Sequence, residues 1–283
     1  MQKSQAFKQQ IWEQCIGFLK TPDVLLNKQL LPYPNLEVKI NPGENVQVSY
    51  ETIQELQKQQ YLGKRVELFF KEWLEKQQES KCLAFSLQII KDKLTLGEFD
   101  FLWKKGNHYL HTELVYKQYI FIRNLGENEL ENWVGPNKKD FLHWKLKKLK
   151  ERQFPLLYQA STEKILKEKL NLKSTDFQQN ICFKAQMFIH FKEEQNQFIG
   201  INSDAILGRW YYAHEFKNQL FNAYKFMVLP KQDWPVLPQK EIWLPWETFD
   251  EILKKVNQSI QQKRSVKLWM KTPAQIFQLF VIW

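Results

Sequence analysis

Glu98, Asp100, Glu113 and Lys117 are the residues of this 283-residue chain whose types and spacing can do chemistry together. They lie in the stretch KLTLGEFDFLWKKGNHYLHTELVYKQY, which begins at Lys93. Clustered carboxylates repel unless something cationic neutralises them. Oxygen donors of this kind suit Mg²⁺, which takes one or two carboxylates and fills its remaining positions with water or phosphate. A nearby lysine can hold or deprotonate an attacking water. The other reading of the same residues is an edge hairpin whose polar face is simply solvated.

The element that must position them is a β-hairpin. Leu96–Trp103 leads into Lys104-Lys105-Gly106-Asn107, a turn cluster with Gly available for positive φ, and His108–Tyr119 leads away. Strand side chains alternate faces. Glu98 and Asp100 therefore share a face on the first strand, and His111, Glu113, Val115 and Lys117 share one on the second. Cys82–Ile90 alternates as a third, half-buried strand. It is preceded by a helical stretch over 51–78, with Leu62, Val66, Phe69, Phe70, Trp73 and Leu74 on one apolar face and Gly63 marking either a break between two helices or a close contact. Glu67 lies beside that stripe. Helix followed by meander predicts a mixed α/β or α+β layer fold.

Composition bounds the rest. Hydrophobic residues make up 43% and aromatics 15%, enough for a real core and against disorder. The net charge of +10 favours polyanionic partners, nucleic acid foremost, or else is a solubility surplus. Cys15, Cys82 and Cys182 are isolated, which suggests neither zinc nor a disulfide framework and fits a reducing cytoplasm. The N-terminus has no apolar stretch of signal-peptide length, and no apolar run approaches the roughly 20 residues of a membrane span.

Residues 1–20 suit an amphipathic helix with Phe7, Ile11, Ile16 and Leu19 inward. Pro22, Pro32, Pro34 and Pro42 make 21–49 an extended arm. Gly135-Pro136-Asn137 predicts a turn into a helix reaching about Gln153, with Asn137 as its cap and Pro155 beyond its end. That helix is crowded with base, so Lys138, Lys139, Lys145, Lys148 and Arg152 are the candidate phosphate contacts; a solvated helix face is the alternative. Further on, a helix over 161–171 capped by Ser161 or Thr162 is expected, then strands over 181–191, 198–201 and 222–229. A turn at 193–196, a rigid Trp/Pro connection around Trp234–Trp246, a helix over 247–260 and closing strands at 264–270 and 276–282 complete the reading. The pattern divides the chain into 1–158, a core with an N-terminal helical arm, and 159–283, a β-rich C-terminal extension packed on it. The second part holds no separate catalytic constellation.

LGKRVELFFKEWL (62–74), LTLGEFDFLW (94–103), HTELVYKQYI (111–120), GPNKKDFLHWKLKKLKERQ (135–153), GRWYYAHEF (208–216) and the C-terminal QLFVIW occur in that order. Together they resemble the bacterial family known as domain of unknown function 1853, which looks like an outlying branch of the PD-(D/E)xK nuclease-like superfamily. The resemblance implies a restriction-endonuclease-like core: a central mixed sheet flanked by helices, with an active site on the β-meander. It implies that Asp100 and Glu113 take the superfamily's metal-binding positions for Mg²⁺ or Mn²⁺, and that Glu67 takes the place of its first-helix Glu. Glu98 and Gln88 are neighbours without a match. The implied activity is metal-dependent hydrolysis of a nucleic-acid phosphodiester.

One position departs from the pattern. The superfamily's lysine stands two residues after its Glu, where this chain has Val115, and Lys117 comes four residues on. At about 3.4 Å per strand residue, the Lys117 Cα lies roughly 7 Å further along than the usual lysine. Either Lys117 leans back, or the lysine has moved, with Lys145 the first candidate. A third reading is a scaffold that has lost the chemistry and binds nucleic acid or protein.

Overall fold

The computed structural model describes residues 2–26, 28–40, 47–194, 197–217, 219–240 and 242–283. Pro42, and Gln195 and Asn196 of the expected turn, lie outside them. In chain order the regular elements are α1 (Gln2–Lys20), α2 (Tyr50–Lys58), α3 (Leu62–Glu75), β1 (Ser80–Lys91), β2 (Leu94–Lys105), β3 (His108–Phe121), β4 (Trp133–Val134) and α4 (Leu142–Lys148). They continue with α5 (Ala160–Leu170), β5 (Phe177–His190), β6 (Ile206–Tyr212), β7 (Lys225–Val228), α6 (Phe249–Gln261), β8 (Val266–Lys271) and β9 (Ile276–Ile282).

Among the described residues the strands form one mixed sheet in the order β1-β2-β3-β5-β6-β9-β8-β7, with β4 on the far end of β3. The meander β1–β2–β3 is antiparallel, β3, β5, β6 and β9 run parallel, and β8 and β7 return antiparallel. The central contact is β3 against β5, paired at every position from Tyr109↔Phe177 to Phe121↔Ile189. Residues 1–158 and 159–283 therefore contribute strands to the same sheet. Both central strands are covered on two sides, which is why they read as near-continuous apolar runs.

Helices flank both faces. The apolar stripe of α3, with Phe69, Phe70 and Leu74 fully buried, packs with α1 and α2 on one face, and each such side chain contributes about 1.5–3 kcal/mol. On β3, Leu114, Tyr116 and Ile120 point to that face. Val115, Tyr119 and Phe121 point the other way, onto Leu142, Leu146 and Leu149 of α4 and its continuation. Helix α6 starts on a reciprocal cap between Thr248 and Glu251 and covers β8 and β9 on that second face.

Several sequence expectations are corrected. Asn137 does not cap α4: Phe141 is the N-cap, and the Asn137 Oδ1 accepts instead from Ser265 N and Oγ at 2.9 and 3.0 Å. The basic helix is shorter than expected, turning at Leu149 into a π-helical turn that ends at Gln153. Pro155 does not stop the chain's helical path, because it sits in the first turn of a 3-10 segment, Phe154–Tyr158, where a missing N–H costs nothing. Gln159, not Ser161 or Thr162, caps α5; the Thr162 hydroxyl donates to Leu156 O. Residues 198–201 form only a bridge, Leu25↔Ile201, while the strand at Ile206–Tyr212 has no counterpart in the sequence pattern.

Candidate functional site

The hairpin turn falls where the sequence places it, with Gly106 at φ 56°. From Lys105↔His108 the pairing of β2 with β3 runs to Phe101↔Thr112 and stops. Asp100 is the next residue. Its Oδ2 accepts from Leu114 N at 2.8 Å, so a side chain stands where a strand carbonyl would continue the ladder. On the other side, β1 pairs at Phe85↔Phe101 and Leu87↔Phe99 but not at the position between them. There Ser86 has a φ of 49°, and Phe99 and Phe101 pack into different clusters. The period-two alternation breaks at Asp100. Glu98 and Asp100 therefore do not simply share a face, as the sequence suggests: Glu98 meets Lys64 of α3 at 3.1 Å, whereas Asp100 lies in the gap between the parting strands.

Glu113 is fully buried one residue beyond the last β2–β3 pair, on the α4 face. Both its oxygens are held. Oε1 lies 3.0 Å from His111 Nε2, and Oε2 accepts from Gln153 Nε2. The Gln179 amide lies 3.0 Å from His111 Nδ1 and donates to Phe154 O at 2.8 Å. An amide N–H aimed at Nδ1 makes that nitrogen the acceptor, so Nε2 carries the proton and donates to Glu113. Burial pushes the His111 pKa down to about 4, so this contact is a neutral hydrogen bond and not an ion pair.

Lys145 completes the cluster, donating from Nζ to Gln153 Oε1 at 3.0 Å across eight residues. Eight residues of regular α-helix overshoot two turns by roughly 80°. The wider π turn over Leu149–Gln153 takes up that excess and brings Gln153 back to the side of Lys145.

Electrostatically the pair is unstable alone. Burial, and after it the neighbouring Glu113 charge, push the Asp100 pKa up to about 7 against the Leu114 N–H and Lys145. Burial likewise pushes Glu113 up to about 7, opposed by Lys145, by a hydrogen bond with Asp100 and by Lys148. The Lys145 pKa is lowered by burial, with Asp100 and Glu113 resisting. The two carboxyls thus call for a proton or a cation between them. No group of three His, Cys, Asp or Glu side chains converges among the described residues. The donor set is two carboxylates, which matches the small protein share of a Mg²⁺ shell.

Glu67, on α3, feels the charge of Asp100 but is bonded elsewhere. It accepts from Lys64 at 2.7 Å and from Ser86 at 3.2 Å. Burial raises its pKa against Lys64, and Asp100 raises it further. Asp100, Glu113 and Lys145 are therefore together, and Glu67 stands beside Asp100 in a separate group with Lys64, Ser86 and Glu98. Lys117 is not with them; its Nζ pairs with Asp140 at 2.5 Å. Of the basic candidates, Lys148 and Arg152 are exposed on the α4 segment, Lys139 is exposed in the turn before it, and Lys138 donates to Trp283 O at 2.9 Å. Gln88 bonds Glu98 at 3.3 Å.

Sequence reasoning does not assign His111, Gln153, Gln179, Lys64 or Ser86 a role in the site. For His111 the signal is present, since it precedes Glu113 by two on the same face. Gln179 comes into reach only through the parallel pairing of β5 with β3, and Gln153 only through the π turn.

No curated protein and no solved structure matches the chain. No described helix is long and apolar enough to cross a membrane. A family model matches residues 42–276, which include every residue of the cluster and nearly the whole sheet, and the chain accordingly belongs to the family described as domain of unknown function (DUF1853).

Proposed function

We propose that this chain is a nuclease-like protein of the PD-(D/E)xK type, with a restriction-endonuclease-like core, that hydrolyses phosphodiesters of nucleic acid with Mg²⁺ or Mn²⁺ in the cytoplasm. The observation that carries the reading is the convergence of Asp100, Glu113 and Lys145 at the point where β2 and β3 part. Two adjacent strands and a helix each deliver one residue of the expected kind, and Glu67 of α3 stands within charge range of Asp100.

In this reading Asp100 and Glu113 would hold the ion, which would supply charge stabilisation to a phosphoryl group. His111 and Gln153 fix the orientation of the Glu113 carboxylate, as outer-shell partners of ligands do. Lys145 takes the lysine's part. Burial weakens its hold on a proton, which suits a group that orients a water and exchanges a proton with it. Lys117, committed to Asp140, neutralises its neighbourhood instead. Lys139, Lys148 and Arg152 supply phosphate contacts.

One observation favours a second reading, a catalytically silent binding scaffold. His111 and Gln153 already occupy both Glu113 oxygens, which closes the site unless Gln153 yields. The two readings separate on a single assay. Wild-type protein should cut DNA or RNA with Mg²⁺ or Mn²⁺. Lys145→Met should lower the rate by roughly 10²-fold or more, the range of a positioned proton-transfer group, and Lys117→Met should leave it within a few-fold. Loss with Lys117→Met alone would return the lysine to β3, and no cleavage under any metal would leave the silent scaffold.

A further inference from the structure

Two adjoining clefts share Asn137, Lys139, Lys231 and Trp234 and so form one groove. Its near end is bordered by Tyr61, Lys117 and Asp140. Its far end, a cavity of about 760 Å³, is bordered by Lys263 and Arg264. Lys139, Lys231, Lys263 and Arg264 are all exposed, and none makes an ion pair among the described residues. The one carboxylate lining the groove, Asp140, is neutralised by Lys117. A cleft lined by one sign of charge with low-dielectric walls concentrates field and draws the opposite charge.

The walls are fixed. The Asn137–Ser265 hydrogen bonds tie the turn before α4 to the turn before β8, and the Lys231 ammonium sits 5.7 Å over the ring of buried Trp234. Tyr61, 79% exposed, offers an aromatic face at the near end. The near end is lined by the strand that carries Glu113. Lys117 follows Glu113 by four residues on the same strand face, a distance of about 14 Å.

We propose that this groove binds single-stranded nucleic acid, its backbone along Lys139, Lys231, Lys263 and Arg264 and a base stacked on Tyr61, and leads the strand toward Asp100 and Glu113. The last step rests on the reading of that pair as a phosphodiesterase site; the binding does not. A single strand fits better than a duplex because the cations line a cleft, and because only unpaired bases have free faces for Tyr61.

The test is fluorescence anisotropy of a short labelled DNA oligonucleotide with the full chain in EDTA, so that cleavage plays no part. Reversing Lys139, Lys231, Lys263 and Arg264 to Glu should weaken binding at least tenfold and flatten the slope of log K against log salt by about 0.7 for each phosphate no longer neutralised. A set with Gln at the same four positions, checked by circular dichroism, repeats the measurement should reversal unfold the protein. Tyr61→Ala should weaken single-strand binding at least fivefold without changing the slope. Unchanged affinity in the Gln set would overturn the groove, and duplex bound as tightly through the same residues would overturn the single strand. Groove-dependent binding by a protein that never cleaves would leave the groove standing and sink only the phosphodiesterase reading. Cleavage with groove-independent binding would do the reverse.

Discussion

At the residue scale, the chain keeps two carboxyls where neither ionises comfortably, and that has a measurable cost. Both folded-state pKa values are pushed up to about 7, mainly by burial. Between the ordinary carboxyl range near 4 and that value, the folded chain holds protons that the unfolded chain has released. The sign follows: the pair's contribution to stability falls as pH rises through that window and stays low above it. Metal-free Asp100→Asn/Glu113→Gln protein should lack this loss and melt at least about 3 °C above wild type at pH 8, with the gap closing toward pH 4. Equal melting curves at pH 8 would mean the pair is not strained. A site that costs stability in this way is what function rather than packing selects. Asp100 and Glu113 are legible as a pair in the sequence because acidic residues in strand-like runs stand out against apolar neighbours. Their orientation is not, because it depends on the break at Ser86 and on the Leu114 N–H turning to Asp100, and neither has a sequence signature.

At the element scale, periodicity succeeds where one face of an element is buried and fails where local geometry departs from the repeat. The hairpin, its Gly106 turn, α3 and β9 follow from alternation and the 3.6-residue repeat. The π turn does not, because the residues LKERQ are ordinary helix formers and only the wider turn aligns Gln153 with Lys145. Strand β6 escapes the pattern because ILGRWYY carries Gly208 and Arg209 in place of an alternating apolar run. The structure gives the reason for the glycine: a Cβ at Gly208 would overlap the Gln278 carbonyl oxygen and press on the Phe188 ring, where β6 lies between β5 and β9. Gly208→Ala should therefore cost about 1–3 kcal/mol, the range of core overpacking, seen as a lower denaturation midpoint with unchanged m-value. An unaffected midpoint would mean that β6 and β9 sit further apart than their pairing requires.

At the scale of the whole molecule, sequence gives the family resemblance and the net charge of +10, but not where the charge gathers. The fold distributes it. Lys145 turns inward to the carboxylates, Lys138 ties down the C-terminal carbonyl, and Lys139 joins Lys231, Lys263 and Arg264 from distant parts of the chain in one groove. A continuous mixed sheet makes this possible, since β3 carries Glu113 and, four residues on, Lys117 at the near end of the groove. The proposed nuclease activity would need both parts, and they are separable by mutation. The most direct measurement compares wild-type protein and Asp100→Asn for Mn²⁺-dependent cleavage of labelled single-stranded DNA and RNA, with affinity measured in EDTA on the same preparations. Asn keeps the shape and loses the charge that binds the ion. Cleavage abolished in Asp100→Asn, with its affinity within about twofold of wild type, is the predicted result. Equal cleavage by both proteins would contradict a metal site at Asp100.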